Sequence, residues 1–170
     1  MMTRKLPIIA VATAPGKAGV GVIRISGQQL LPMAEALFHK ALAPRQANLL
    51  TLRDARGESI DQLIAIYFAA PASFTGEDVV EVSCHGSAYV LERVMKLCMA
   101  QGARMAKPGE FTLRAFLKGK LDLTSMAALV KGGKHGAVVK QGAPADSRLV
   151  SEVSGDEPAM PPEGAPLTEV

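Results

Sequence analysis

Residues 73–86 read SFTGEDVVEVSCHG, and the alternation inside this stretch decides the fold. Successive side chains on an extended backbone leave on opposite sides, so Val80, Val82 and Cys84 share one face and Glu81, Ser83 and His85 the other. A strand of this kind buries its apolar face in a sheet. Its second face either lines a polar cavity or simply meets water, as in an ordinary half-exposed antiparallel strand. Glu81, set between Val80 and Val82, is therefore a carboxylate carried on a strand.

Working outward, Leu6–Thr13 and Gly19–Ser26 are two further β-rich runs, separated by the turn-forming residues 14–18. Leu30, Ala34, Leu37, Phe38 and Ala41 then recur at helical spacing, which predicts an amphipathic helix over 28–41, ended near Pro44. Residues 48–53 and 59–69 flank Asp54-Ala55-Arg56-Gly57 and predict a hairpin. After Pro71 comes the decisive stretch. A second helix over 87–101 places Leu91, Val94, Met95 and Cys98 on one side, and Gly102 closes it. A short strand at 103–106 and a third helix over 110–117, stopped near Gly119, complete the ordered pattern. This irregular succession predicts an α+β fold with a mixed, largely antiparallel sheet flanked by helices.

From about Val130 the composition turns rich in Gly and Pro and lacks aromatic residues, which predicts a disordered C-terminal tail. Lys131, Lys134, Lys140 and Arg148 precede Glu152, Asp156, Glu157, Glu163 and Glu169 in it. The expected division is a folded domain over 1–123 and a divergent tail over 124–170.

The chain has 170 residues and a net charge of +3, with no block of Lys and Arg. Direct nucleic-acid binding by a basic stripe is not indicated. The short apolar run at the N-terminus reads as a strand rather than a signal peptide, and no run approaches the roughly 20 apolar residues of a membrane span. A cytoplasmic protein is expected. Cys84 and Cys98 have neither CxxC spacing nor histidines at metal spacing, so they are expected to be reduced and buried, and no metal is expected.

Neither glycine-rich patch is a phosphate loop. Residues 15–21 lack the GxxxxGK[ST] order, and Lys134 in residues 132–136 is followed by His135 rather than Ser or Thr. GTP binding is not expected in this chain. Three charged residues lie in or beside apolar sequence: Arg24 between Ile23 and Ile25, Glu81, and Lys120 after Gly119. Arg24 fits a structural salt bridge as well as a ligand contact, and Lys120 fits plain exposure. Together, the cations suit a ligand's carboxylates, while the carboxylate suits paired N–H donors of a flat heterocycle. His85 reads as a residue that structures a turn, since no nucleophile signature accompanies it.

Residues 12–27, ATAPGKAGVGVIRISG, residues 73–86, and residues 107–123, KPGEFTLRAFLKGKLDL, taken in this order and spacing, resemble the N-terminal domain of the MnmE (TrmE) tRNA-modification GTPase family. The resemblance runs from about Ile8 to Leu123. It departs mildly at Ala14, Ala18 and Ser87, and stops where Thr124–Ala128 lose the acidic pattern that opens the family's helical domain. It implies a fold similar to the folate-binding part of the glycine-cleavage aminomethyltransferases. It also implies a homodimer that binds a tetrahydrofolate derivative, 5-formyltetrahydrofolate, with Arg24, Glu81 and Lys120 as the folate-contacting residues. The family's role is modification of the wobble uridine of tRNA with an MnmG-type flavoprotein. With no counterpart to the family's helical and GTPase domains, the expectation is a binding and dimerisation module that meets tRNA only indirectly. The alternatives are a truncated module pairing with full-length MnmE, or a folate-dependent aminomethyltransferase-like enzyme.

Overall fold

The computed structural model describes residues 6–16 and 18–132. Six strands form one sheet: β1 (Ile8–Val11), β2 (Val20–Gly27), β3 (Ala47–Arg53), β4 (Ser59–Phe68), β5 (Asp78–His85) and β6 (Arg104–Met105). Their order is β3-β4-β5-β2-β1-β6, antiparallel throughout except for the parallel pair β1–β6. The helices are α1 (Leu31–Phe38), α2 (Ala88–Ala100), α3 (Glu110–Leu117) and α4 (Leu123–Gly132). The expected mixed, mostly antiparallel sheet with flanking helices is the fold observed.

The alternation in β5 sorts the two faces as the sequence requires. Val80, Val82 and Cys84 are buried, Glu81 and Ser83 are half-buried, and His85 is exposed. The main core lies on the Val80 side, where Ile9, Ile23, Ile25, Leu63 and Ala65 meet Leu30, Ala34 and Leu37 around α1 and Val94, Met95 and Cys98 on α2. Ser87 caps α2 by accepting the Val90 N–H at 3.2 Å, satisfying a donor that the first helical turn leaves free.

Three local expectations need correction. Residues 73–77 are not strand but a loop leading into β5, because Ser73 and Thr75 turn their hydroxyls onto Glu77, Ser73 to its carbonyl and Thr75 to its N–H. Helix α1 is shorter than 28–41. It starts next to Pro32 in its first turn and ends at His39, which takes a left-handed conformation at φ 50°. Residues 124–132, placed in the tail, form most of α4. Asp122 caps this helix by accepting the Ser125 N–H at 2.6 Å. The remainder of that segment, 133–170, lies outside the described residues.

Gly86 closes the join between β5 and α2. A Cβ there would stand 2.3 Å from the Ala18 carbonyl oxygen, a backbone atom that cannot swing aside as a side chain can. The variant Gly86→Ala should lose about 1–3 kcal/mol of stability, the usual cost of overpacking, measured as a lower urea midpoint.

Helix α3 is tied to β6 by Arg104, whose two guanidinium nitrogens meet the Glu110 carboxylate at 2.9 and 2.5 Å. The Arg104 hydrogen bonds, helped by the Lys107 N–H and by the charges of Arg104 and Arg114, outweigh burial and lower the Glu110 pKa from 4.5 to about 2. The folded-state value lies below the unfolded one, so this contribution is fully present above pH 4.5 and fades as pH falls toward about 2. Urea unfolding at stepped pH should show stability dropping through that window, and Glu110→Gln should flatten the drop. An unchanged slope in Glu110→Gln would refute the assignment.

Candidate functional site

The face of the sheet opposite the main core changes character from row to row. Cross-strand partners share a face, so Ile8, Ser26, Val79 and Phe68 form one row across β1, β2, β5 and β4, and all four are buried. The next row is Ala10, Arg24, Glu81, Ile66 and Ala47. Beyond it come Val22, Ser83, Ile64 and Leu49, of which Ile64 is 40% exposed and Leu49 62%. The charged row thus stands at the boundary between a covered end and an open end.

Arg24 and Glu81 are direct partners in the β2–β5 register. Nε and Nη2 of Arg24 both approach Oε1 of Glu81, at 2.8 and 2.6 Å, and the side chains keep 11% and 17% of their exposure. Phe74, from the loop before β5, lies against the guanidinium with its ring centroid 5.5 Å from Cζ, a cation–π contact. The pair is therefore preorganised on two sides, by the strand register and by an aromatic ring.

Lys120 reaches the same loop from elsewhere. It is exposed, just beyond α3, and its Cγ and Cε lie 3.4 Å from where a Cβ on Gly76 would stand. Gly76 itself has φ +74°, so a side chain there would be strained as well as crowded. The structure thus joins Arg24 to Glu81 directly and brings Lys120 against the loop that carries Phe74.

The sequence reading missed the polar network beneath that loop. Ser26 Oγ lies 2.7 Å from Thr75 Oγ1 and donates to Glu77 Oε2 at 3.1 Å, and Arg114 Nη1 donates to the same oxygen at 2.9 Å. The Glu77 and Arg114 side chains are only 3% and 7% exposed. A signal for Arg114 was present, since Glu110 and Arg114 stand one helical turn apart on α3, whereas Glu77 in a loop offered no period to read. No described buried side-chain nitrogen or oxygen lacks a partner.

His85 is held as a structural residue. Its backbone N–H and ring Nδ1 meet the two oxygens of Asp61 at 2.8 and 2.6 Å. Burial raises the Asp61 pKa, but these bonds, the charge of His85 and the Gln62 N–H outweigh it, so the carboxyl titrates below 3.8. Burial also pushes the thiols of Cys84 and Cys98 up to about 11 and about 12, so neither is poised as a nucleophile. Among the described residues no cluster of His, Cys, Asp and Glu suits a metal, and no helix is long and apolar enough to cross a membrane.

A cleft of about 590 Å³ opens between α2 and the β1–β2 connection, with Val11, Leu91, Met95, Met99 and Met105 among its walls. Its charged wall residues, Glu92 and Lys96, pair with each other at 2.6 Å. None of Arg24, Glu81 and Lys120 lines it. The charged row with Lys120 beside its loop is the better candidate for recognising a polar ligand, because together they offer two cations and a carboxylate at the edge of solvent.

Residues 7–120 match the family described as GTP-binding protein TrmE N-terminus. A shorter match, described as Planctomycete cytochrome C, covers residues 114–164. That stretch contains no cysteine for thioether attachment of a haem and falls largely outside the described residues. The chain is 64% identical over 133 residues to the tRNA modification GTPase MnmE of Polynucleobacter asymbioticus, covering 76% of this chain and 29% of that protein. It is 57% identical over 123 residues to the protein of the same name from Neisseria meningitidis serogroup C, covering 72% and 28%. With that of Polaromonas naphthalenivorans it shares 47% over 137 residues, covering 72% and 29%. The chain thus spans under a third of the length of these relatives. The family match over 7–120 contains the first two motifs, the third as far as Lys120, and every residue of the charged row, and the chain belongs to the TrmE N-terminal family.

Proposed function

We propose that this chain is a binding module for a tetrahydrofolate derivative, 5-formyltetrahydrofolate, and that it serves the modification of tRNA. The observation that carries this reading is the Arg24–Glu81 pair, held in register and stacked by Phe74 at the edge of a covered sheet face. A reduced pterin presents a ring N–H beside an amino group, and a fixed carboxylate accepts both donors at once. Glu81 takes that part. Arg24 and Lys120 supply positive charge toward the carbonyl and carboxylate portion of the ligand. The relatives are named tRNA modification GTPases, which supports a place in tRNA maturation; the wobble uridine as target and an MnmG-type flavoprotein as partner are part of the same proposal.

The module also pairs with a second copy, or with a longer relative of the same family. Supporting this is the open row beside the charged one, where Leu49 and Ile64 face outward as cross-strand neighbours. Apolar side chains set side by side on a sheet face gain most by being covered. In this reading the chain binds and presents the folate rather than carrying out a reaction alone.

Two measurements test the proposal. By titration calorimetry, Glu81→Ala should weaken 5-formyltetrahydrofolate binding by about 1.5–3 kcal/mol, roughly ten- to 150-fold, and equal affinity in the variant would overturn the assignment. In sedimentation equilibrium the parent protein should be dimeric and Leu49→Glu should shift it toward monomer. A monomeric parent would remove the pairing with a second copy.

A further inference from the structure

We infer that Glu77 and Arg114 are positioning residues for the folate site, their buried ion pair setting where Lys120 stands relative to Arg24 and Glu81. The inference rests on the reading of Arg24, Glu81 and Lys120 as the folate-binding set. Arg114 uses its planar fork in several directions. Nη1 meets Glu77 Oε2 at 2.9 Å and Nη2 meets the Leu6 carbonyl at 3.1 Å, while the same Glu77 oxygen takes the Ser26 hydroxyl at 3.1 Å. One guanidinium thereby fastens α3 to the loop before β5 and to the segment leading into β1, and through Glu77 to Ser26 of β2. A lysine has no such fork of fixed donors.

The fastening is passed on to Lys120 through the end of the helix. Gly119, at φ +70°, donates to the Phe116 carbonyl at 2.9 Å, and Lys120 donates to Ala115 at 2.8 Å. These paired bonds are a Schellman cap, so the Lys120 backbone is locked to the turn that contains Arg114. Its side chain then runs past Gly76, the neighbour of Glu77. Arg24 and Glu81, by contrast, are held by the β2–β5 register. A shift of α3 would therefore displace Lys120 and leave the strand pair in place. Stability alone gives little reason to keep such a pair, since apolar residues often replace a buried ion pair without loss.

The test follows Lys120 directly, in protein whose lysines carry ¹³C-methyl groups, with its NMR signal assigned through Lys120→Arg. In Arg114→Lys, and in the paired variant Glu77→Leu/Arg114→Met chosen to stay folded, the Lys120 signal should shift from its position in the parent protein. The Kd for 5-formyltetrahydrofolate should rise about tenfold in Arg114→Lys. Arg114→Lys combined with Lys120→Ala should bind no more weakly than Lys120→Ala alone. A Lys120 signal unchanged in both Arg114 variants, or losses of affinity that add, would overturn the inference. Absence of folate binding by the parent protein would overturn the proposed function instead, and the Lys120 signal would still decide the positioning.

Discussion

The register between β2 and β5 is the constraint on which the rest of this structure depends. It runs unbroken from the Val20–His85 partners to Gly27–Asp78. Because side chains alternate, a slip of one residue in β2 would send Arg24 into the core against Val80 and Val82, and a slip in β5 would send Glu81 there against Ile23. Removing such ions from water costs several kcal/mol each, so the register is specified by what it keeps out of the core as much as by what it buries. The same pairing brings the guanidinium and the carboxylate together at 2.6 Å.

Around that ladder the two sheet faces are covered unequally. Helices α1 and α2 close one side over a continuous apolar core. On the other side the row through Ile8 and Val79 is buried, and exposure grows beyond Arg24 and Glu81. Charges placed at such a boundary are desolvated enough to be directional and exposed enough to be reached by a ligand. Asp78 binds the edges of this arrangement, taking the Leu30 N–H before α1 and the Ala70 N–H, each at 3.0 Å.

Much of this was legible in the sequence because it obeys short periods. The two-residue alternation of β5, the turn at Asp54–Gly57 and the helical spacing of Val94, Met95 and Cys98 each report local geometry that the packing then uses. Where the reading failed, no such period existed. The loop at 73–77 is organised by hydroxyls turned onto Glu77, and α4 begins from a single capping carboxylate at Asp122. Phe74 reads as one more apolar residue until a guanidinium is placed against its ring.

By itself the sequence determined the family, the order of the elements as far as α3 and the identity of the three charged candidates, since motif spacing and side-chain period are properties of the chain alone. Tertiary structure decided which polar groups meet. Arg24 finds Glu81 57 positions away, Arg114 finds Glu77 37 positions away, and Arg114 reaches Leu6 across 108. No local rule spans such distances. Those partnerships exist because the sheet order places β5 beside β2 and α3 against the loop before β5, where buried charges and hydrogen-bonding groups must find one another or lose their hydration uncompensated.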